Sequence, residues 1–305
     1  MDSNEYLQVQ QRIEAQNLQH INNGTSSAKS LVLSFYVKAY QAGNYVVSIY
    51  KDDNTQRLIT LPYTINASAT WERKVLVIPA DTSGGGIDND TGIGYQLDWF
   101  LAAGSGYTST DSTSWINHDN AGYAYGQGVN TMSSTDNYWQ ITGVQLEVGS
   151  QVTPFEYRGA GDELLLCQRY FQIFKAPNGE FTRFGLAASL ASNSVRIPIP
   201  HITEMRSKAS FSYVGGNNDY QMPGSSNGFN ISQVIYESNT SSTRSTCLQN
   251  GYVSVTTYNC YQFSANGQSN NAALLFSEVL PCREEGFERD RYLREGVRIA
   301  FHYFP

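Results

Sequence analysis

The sequence predicts an all-β protein, with an N-terminal jelly-roll β-sandwich followed by a second β-sandwich domain. Two observations carry this prediction: short segments alternate apolar and polar residues along most of the chain, and Gly, Asn and Asp cluster between them. Composition supports it, because aromatic residues make up 13% of the chain and charged residues only 15%. Disordered chains combine few aromatics with high net charge, which argues against disorder.

A chain of 305 residues is long enough to bury two hydrophobic cores. We expect a jelly roll over residues 1–158, a β-rich tip domain over residues 159–280 and a charged segment over residues 281–305. In the first domain, Leu7, Val9 and Ile13 alternate with polar residues, as in a half-buried strand. A helical turn is predicted at Ala15–Ile21, and further strands are predicted at Ser30–Lys38, Tyr45–Lys51, Arg57–Ile65, Arg73–Ile78, Ile93–Leu101 and Trp139–Val148.

Two long loops, Asp81–Gly92 and Gly104–Met132, interrupt these strands, and functional residues concentrate in such loops. The segment Gly149–Gly161 is predicted to connect the domains. In the second domain, strands are predicted at Cys167–Lys175, Phe184–Ala191, Val195–Ile199, Ser210–Val214, Gln233–Tyr236, Tyr252–Phe263 and Ala272–Val279, with loops at Gly215–Asn230 and Ser238–Ser245.

The last 25 residues contain ten charged side chains, a density well above that of the rest of the chain. This pattern predicts either a short helix with oppositely charged pairs such as Glu285–Arg289 or an appended segment outside any core. We favour a peripheral tail.

Overall charge and hydropathy exclude several classes of partner. The net charge of −7 offers no basic patch for phosphates, so we expect no nucleic-acid partner. No apolar run reaches the roughly 18 residues of a membrane span, so no membrane insertion is expected. The first 16 residues lack the basic start and apolar centre of a secretory signal. Four cysteines without C-x-x-C spacing favour reduced thiols over a zinc site or a disulfide framework.

An ordered set of motifs resembles virion structural proteins of tailed bacteriophages, in particular tail-fibre-like proteins of marine phages. The motifs read YWQITGVQLEVG at 138–149, TPFEYR at 153–158, DEL at 162–164 and CQRYF at 167–171, preceded upstream by LSFYVK at 33–38 and TWE at 70–72. The resemblance covers roughly residues 8–280. It implies a jelly roll similar to carbohydrate-binding modules, followed by a β-domain exposed at a fibre tip.

The resemblance also implies a homotrimer on the virion that contacts other virion proteins and host surface polysaccharide. We therefore expect a non-enzymatic tail-fibre or tail-tip protein. One alternative is a capsid decoration or tail adaptor protein with a purely structural role. Another is a polysaccharide depolymerase, which would need two carboxylates about 5–9.5 Å apart. Asp98 and Glu147 lie on predicted strands and are the candidates for that pair.

Sugars bind to flat aromatic faces flanked by short polar side chains, because ring C–H groups pack on apolar surface while hydroxyls need hydrogen bonds. Trp99 alternates with the core positions Tyr95 and Leu97, so we expect it to be buried. The candidate glycan-binding residues are Tyr107, Trp115, Tyr123 and Tyr125 in the second long loop, and Tyr258 and Tyr261 in the second domain. The same aromatics could instead fill a trimer interface, where Tyr is enriched.

No cofactor is expected. The four histidines stand apart, and no glycine-rich phosphate-binding motif is present. Asp88 and Asp90 form an Asp-x-Asp-x-Gly fragment of a calcium loop that lacks the distal Glu of an EF-hand. Because Asp and Asn also hydrogen-bond their own backbone in turns, we favour a turn, with calcium as the alternative.

Overall fold

In a computed structural model the described residues are 1–175, 182–191, 194–214, 219–222, 229–230, 235–236, 241–250, 260–265, 272–277 and 301–303. These residues form an all-β protein built of several sheets, which confirms the predicted fold class. The chain divides into two compact units. The first unit comprises Met1–Tyr157 and the described end of the chain, and the second unit spans Arg158–Pro281.

The first unit is a sandwich of two sheets. Its strands, numbered in chain order over both units, are β1 (Tyr6–Glu14), β2 (Leu31–Ala39), β3 (Gly43–Lys51), β4 (Arg57–Ile65), β5 (Glu72–Ile78), β6 (Ile93–Ala103), β7 (Ile116–Asn117), β8 (Trp139–Val148) and β19 (Phe301–Tyr303). One sheet has the order β1-β6-β3-β4-β7 and the other the order β19-β8-β2-β5. The jelly-roll connection of these strands stays a prediction.

Alternation along the strands creates the core between the two sheets. Phe35 on β2 packs edge-on against Trp99 on β6 and Tyr63 on β4, with ring centroids 5.9 and 5.3 Å apart. Phe35 and Trp99 are fully buried, so the predicted burial of Trp99 is confirmed. Each such side chain contributes roughly 1.5–3 kcal/mol by leaving water. The predicted helical turn is a 3-10 helix, Ala15–Ile21, whose Leu18 joins this core.

The long loop over residues 104–132 folds back over the outer face of the five-stranded sheet. It contains β7 and three short 3-10 helices, Ser105–Tyr107, Asn120–Gly122 and Thr131–Ser133. Beneath it lies a smaller apolar cluster formed by Val46, Tyr50, Leu58 and Phe100 of the sheet with Tyr123 and Ala124 of the loop. This face of the sandwich is therefore covered by the protein's own chain.

The outer face of the other sheet holds the segment that follows β8. Glu147 accepts a hydrogen bond from the hydroxyl of Thr153 at 2.5 Å. The side chain of Gln145 donates to that hydroxyl at 3.2 Å and accepts from the backbone N–H of Glu156 at 3.0 Å. The motif at 138–158 thus forms a strand and the segment that folds back onto it.

The second unit contains two sheets and one described α-helix. Its elements are α1 (Ala160–Gln168), β9 (Phe171–Lys175), β10 (Arg183–Ala191), β11 (Ser194–Pro200), β12 (Ser210–Val214), β13 (Tyr220–Met222), β14 (Phe229–Asn230), β15 (Ile235–Tyr236), β16 (Ser245–Asn250), β17 (Cys260–Ala265) and β18 (Ala273–Ser277). The described strands form a sheet of order β14-β13-β17-β10-β11-β16-β15 and a sheet of order β12-β18-β9. Phe263 of the first sheet and Phe276 of the second are fully buried in one core.

Helix α1 corrects the prediction of a strand beginning at Cys167. Asp162 and Glu163 lie in its first turn, where negative charge favours a helix, and three leucines follow. Leucine has high helix propensity, whereas the β-formers of this stretch begin only at Phe171. The strand accordingly starts four residues later than predicted.

The predicted loop Gly215–Asn230 contains two short strands, β13 and β14, which pair with each other. The sequence also missed β16, which pairs with β11. Both stretches are rich in Ser, Asn and Thr, so their side chains lack the apolar alternation on which the prediction relied. Parts of the strands predicted at 233–236, 252–263 and 272–279 lie outside the described residues.

The described end of the chain, residues 301–303, belongs to the segment for which a peripheral tail is predicted. β19 runs parallel to β8, with His302 opposite Gln145, and so extends the four-stranded sheet of the first unit. Phe301 and Tyr303 are strand formers, and the charge density that suggested a tail ends before them. The remaining charged residues of this segment lie outside the described residues.

Candidate functional site

Tyr123, a predicted glycan-binding residue, is only 9% exposed. Its ring lies edge-on to Phe100 and Tyr6, with centroids 5.1 and 6.0 Å away. Its hydroxyl donates to Oδ2 of Asp98 at 2.7 Å. Because its ring and hydroxyl are both engaged, Tyr123 fixes the long loop to the sheet and offers little surface to a ligand.

Tyr107 and Trp115 are half-buried and also point toward the sandwich. Tyr107 packs edge-on against Tyr6 at 4.9 Å. The indole N–H of Trp115 donates to the carbonyl of Pro79 at 2.7 Å, and its ring lies 6.1 Å from that of Tyr95. These contacts brace the loop and leave both residues only partly exposed.

Of the remaining predicted aromatics, Tyr125 belongs to the first unit and Tyr261 to the second. Tyr125 is half-buried, and its backbone N–H donates to the carbonyl of Gly122 at 3.3 Å. Tyr261 is 6% exposed and belongs to the core of the second unit. Tyr258 lies outside the described residues.

Asp98 is a fully buried carboxyl group beneath the loop. It accepts hydrogen bonds from the amide of Gln10 at 3.0 Å, the amide of Gln96 at 2.8 Å and the hydroxyl of Tyr123 at 2.7 Å. Burial raises the pKa of Asp98 to about 6, although these hydrogen bonds and the nearby charge of Arg12 oppose the shift. Asp98 and its three donors form a fully hydrogen-bonded network that holds the loop to β6.

Asp98 and Glu147 do not form the carboxylate pair that a depolymerase would need. Asp98 lies on the outer face of the five-stranded sheet, because its neighbours Leu97 and Trp99 point into the core. Glu147 lies on the outer face of the other sheet, where Thr153 holds it. The sandwich core separates the two carboxylates, and packed sheets are about 10 Å apart before their side chains are counted.

Asp88 and Asp90 lie in a loop held by its own hydrogen bonds. Oδ1 of Asp90 accepts from the backbone N–H of Gly92 at 2.7 Å, the turn favoured from the sequence. The backbone N–H of Asp88 donates to Oδ2 of Asp53 at 3.1 Å. Over the described residues, no group of three or more His, Cys, Asp or Glu side chains is placed to hold a metal ion.

A more exposed aromatic group lies at one end of the four-stranded sheet. We call it the aromatic platform: Tyr40, Trp71 and Tyr138, with Lys38 among them. Trp71 is 46% exposed and Tyr40 is 49% exposed. The rings of Tyr40 and Tyr138 lie 6.2 Å apart. The ammonium of Lys38 lies 5.6 Å from the ring centroid of Trp71 and 5.7 Å from that of Tyr138.

Strand pairing brings these residues together from three parts of the chain. β2 pairs with β8 so that Lys38 lies opposite Gln140, and the backbone N–H of Tyr40 donates to the carbonyl of Tyr138 at 3.0 Å. β2 also pairs with β5, and Trp71 directly precedes the first residue of that strand. Sequence periodicity predicts each strand but not its partner, which is why the sequence did not reveal the platform.

The loop before Trp71 is fixed to the end of β2. The backbone N–H of Ala69, a residue with a φ of 55°, donates to the carbonyl of Ala39 at 2.8 Å. The hydroxyl of Ser68 donates to the carbonyl of Tyr40 at 2.6 Å. Both bonds hold the loop that carries Trp71 against the strand that leads to Tyr40.

Glu72 secures the other side of the same loop. Its carboxylate accepts hydrogen bonds from the side chain of Lys74 at 2.6 Å and from the backbone N–H groups of Asn66 and Ala67 at 2.8 Å each. Partial burial opposes ionisation, but the bonds from Lys74, Ala67 and Asn66 outweigh it and lower the pKa of Glu72 to about 2. The platform is thus held before any ligand arrives.

The platform has the chemistry of a sugar-binding surface. Flat exposed rings can pack against the C–H groups of a pyranose. Hydroxyl groups then need polar partners at the edge, and Gln140 offers an amide there, since it lies opposite Lys38 and antiparallel partners share a face. Exposed aromatic clusters on a protein surface commonly mark interaction sites.

No protein-family model, curated protein or solved structure matches this chain. Among the described residues, no helix has the length and apolar character needed to span a bilayer.

Proposed function

We propose that this protein is a non-enzymatic structural component of a tailed-bacteriophage virion. In this proposal it is a tail-fibre or tail-tip protein that attaches to glycan on the host surface, and the aromatic platform makes the contact. The observation that carries the glycan-binding part is the platform itself: Trp71 and Tyr40 expose nearly half of their surface, and hydrogen bonds fix the loop of Trp71 to the end of β2.

The virion assignment is supported by the ordered motifs between residues 33 and 171. The separation of Asp98 and Glu147 on opposite outer faces favours binding over hydrolysis, since that pair was the candidate for a depolymerase. A low density of charged residues suits contact with sugars in salty water, where charge-based attraction is screened.

Copy number completes the proposed mechanism. A single shallow platform binds one or two sugar residues weakly. In a homotrimer, three platforms would gain avidity through effective concentration, so that attachment would not require tight binding at any one site.

The test is a glycan array of neutral and acidic oligosaccharides probed with the full chain. We expect the wild type to bind at least one glycan class and Trp71→Ala to weaken that binding about tenfold, the loss of one ring stacking contact worth about 1.4 kcal/mol. Tyr157→Ala is the control, because Tyr157 is 87% exposed but lies off the platform.

The same experiment separates the rival roles. No binding by the wild type, or equal binding by Trp71→Ala, would overturn the adhesin and favour a decoration or adaptor protein that contacts only other virion proteins. Shortened polysaccharide chains after incubation with the protein, measured by size-exclusion chromatography, would overturn the non-enzymatic role.

A further inference from the structure

Lys38 carries a positive charge that no described carboxylate balances. The described ion pairs join Arg57 to Asp81, Lys74 to Glu72, Arg158 to Glu163 and Arg244 to Glu204, and none of them includes Lys38. The nearest acidic group along the paired strand, Glu72, is occupied by Lys74 and two backbone N–H groups. The ammonium of Lys38 instead lies beside two aromatic rings.

The protein has a net charge of −7, and Lys38 is one of its 20 basic residues. Arg73 lies on the neighbouring strand, but its guanidinium donates to the carbonyl of Thr153 at 3.2 Å. Burial raises the pKa of Glu147, but hydrogen bonds from Thr153 and Gln145 and the charge of Arg73 outweigh it and lower that pKa. Lys38 is thus the cation that the platform presents to a ligand. A negatively charged chain repels polyanions in general, so recognition of one requires such a local site.

We infer that the aromatic platform selects an acidic sugar, a hexuronate, whose ring packs on Trp71 while its carboxylate pairs with Lys38. This inference rests on the proposed glycan-binding function and names the class of sugar. Lys38 binds the carboxylate of the hexuronate, and Trp71 packs against the apolar face of the same sugar ring. Gln140, opposite Lys38 on β8, offers an amide to a ring hydroxyl. A neutral sugar would use the rings but not the ammonium.

A purely structural role for Lys38 makes a different prediction. If Lys38 served only to hold Trp71 and Tyr138 through cation–π attraction, its removal would loosen the platform and weaken all sugars equally. If Lys38 binds a carboxylate of the ligand, its removal abolishes only the difference in affinity between acidic and neutral sugars. The ratio of the two affinities therefore distinguishes the roles.

The probes are a tetragalacturonate and its fully methyl-esterified form, which share one backbone and differ in that each carboxylate is replaced by a neutral methyl ester. Calorimetric titration of the full chain at low salt should show about threefold tighter binding of the acid, the size of a partly exposed ion pair. We expect added salt to erase the difference. Lys38→Gln should bind both probes as the wild type binds the ester, and Trp71→Ala should weaken both. Lys29→Gln, at an exposed site on a different loop, is the matched control and should keep the preference.

Equal affinity of the wild type for the two probes, or an unchanged preference in Lys38→Gln, would overturn the inference. If the wild type binds the ester and the acid equally well and Trp71→Ala weakens both, the proposed glycan-binding function still holds although the inference fails. If the wild type binds neither probe, the inference fails, and the glycan array decides whether the proposed function fails with it.

Discussion

The two outer faces of the first unit use aromatic residues in opposite ways. On the five-stranded sheet, Tyr123 and Tyr107 turn inward and fix the long loop, while Trp115 of the same loop packs against the core between the sheets. On the four-stranded sheet, Tyr40 and Trp71 stay exposed beside Lys38. The two groups have similar composition, so composition alone does not separate a bracing aromatic from one that is free to bind.

The two loops that carry these aromatic residues differ in length, and this difference explains the contrast. A loop of nearly thirty residues must bury side chains of its own to stay ordered, because fixing each residue costs about 1–2 kcal/mol of conformational entropy. The short loop at 66–71 is held by backbone and carboxylate hydrogen bonds. It therefore leaves its aromatic residue exposed. Four substitutions test this contrast, and Trp fluorescence reports on the first unit alone because all four tryptophans lie in it.

Tyr123→Ala should cause the largest effect. It removes a buried ring and one of the three donors to Asp98, so we expect the free energy of unfolding to fall by about 4 kcal/mol. Urea denaturation followed by Trp fluorescence measures it. The corresponding truncation on the other face, Trp71→Ala, should stay within about 1 kcal/mol, and equal losses at the two sites would break the contrast.

Asp98→Asn should change how stability depends on pH. The raised pKa means that the folded protein holds a proton between about pH 4 and 6 that the unfolded chain has released. Stability from this group is therefore present at pH 4 and is lost as pH rises through about 6, by about 3 kcal/mol in total.

The Asn variant cannot titrate, so its stability should decline less than that of the wild type over this window. Urea midpoints measured from pH 4 to 7.5 give the comparison. Asp136→Asn, at an exposed site, should reproduce the wild-type curve. If the curves of Asp98→Asn and the wild type run parallel, Asp98 is ionised throughout, and its pKa is not raised in the folded protein.

The sequence was sufficient for the features that depend on local pattern. Alternation predicted β1 and the burial of Trp99, and Gly and Asn clusters predicted the turns between strands. It failed where local pattern is weak or mixed. The leucines of α1 lie beside the strand-forming Phe171, and four of the six residues of β16 are Ser, Thr, Gln and Asn.

The candidate site was beyond sequence reasoning for a different reason. Lys38, Trp71 and Tyr138 are separated by 33 and 67 residues along the chain, and only the pairing of β2 with β5 and β8 brings them together. Loop position suggested Tyr123 as a ligand-binding residue, but the loop uses it to cover the sheet. Pairing and loop direction are set by the whole core, which no single window of sequence contains.

Trp115→Phe allows the same substitution to be compared in the long loop and on the platform. It removes the hydrogen bond from the indole N–H to the carbonyl of Pro79, so we expect a loss of about 1 kcal/mol in the free energy of unfolding. Glycan affinity should not change. Trp71→Phe, the same substitution on the platform, should leave stability within about 0.5 kcal/mol. A drop in glycan affinity for Trp115→Phe would show that the long loop takes part in glycan binding.

Tyr40→Ala should produce the smallest effect. Its ring contacts Tyr138 at the surface, so truncation should leave stability within about 0.5 kcal/mol. Glycan affinity should fall about threefold, because one of two exposed faces is removed while Trp71 remains. Calorimetric titration with a bound oligosaccharide measures it, and Tyr40→Phe, which keeps the ring, should retain affinity. An unchanged affinity in Tyr40→Ala would reduce the platform to Trp71 and Lys38, and a stability loss like that of Tyr123→Ala would make Tyr40 a bracing aromatic as well.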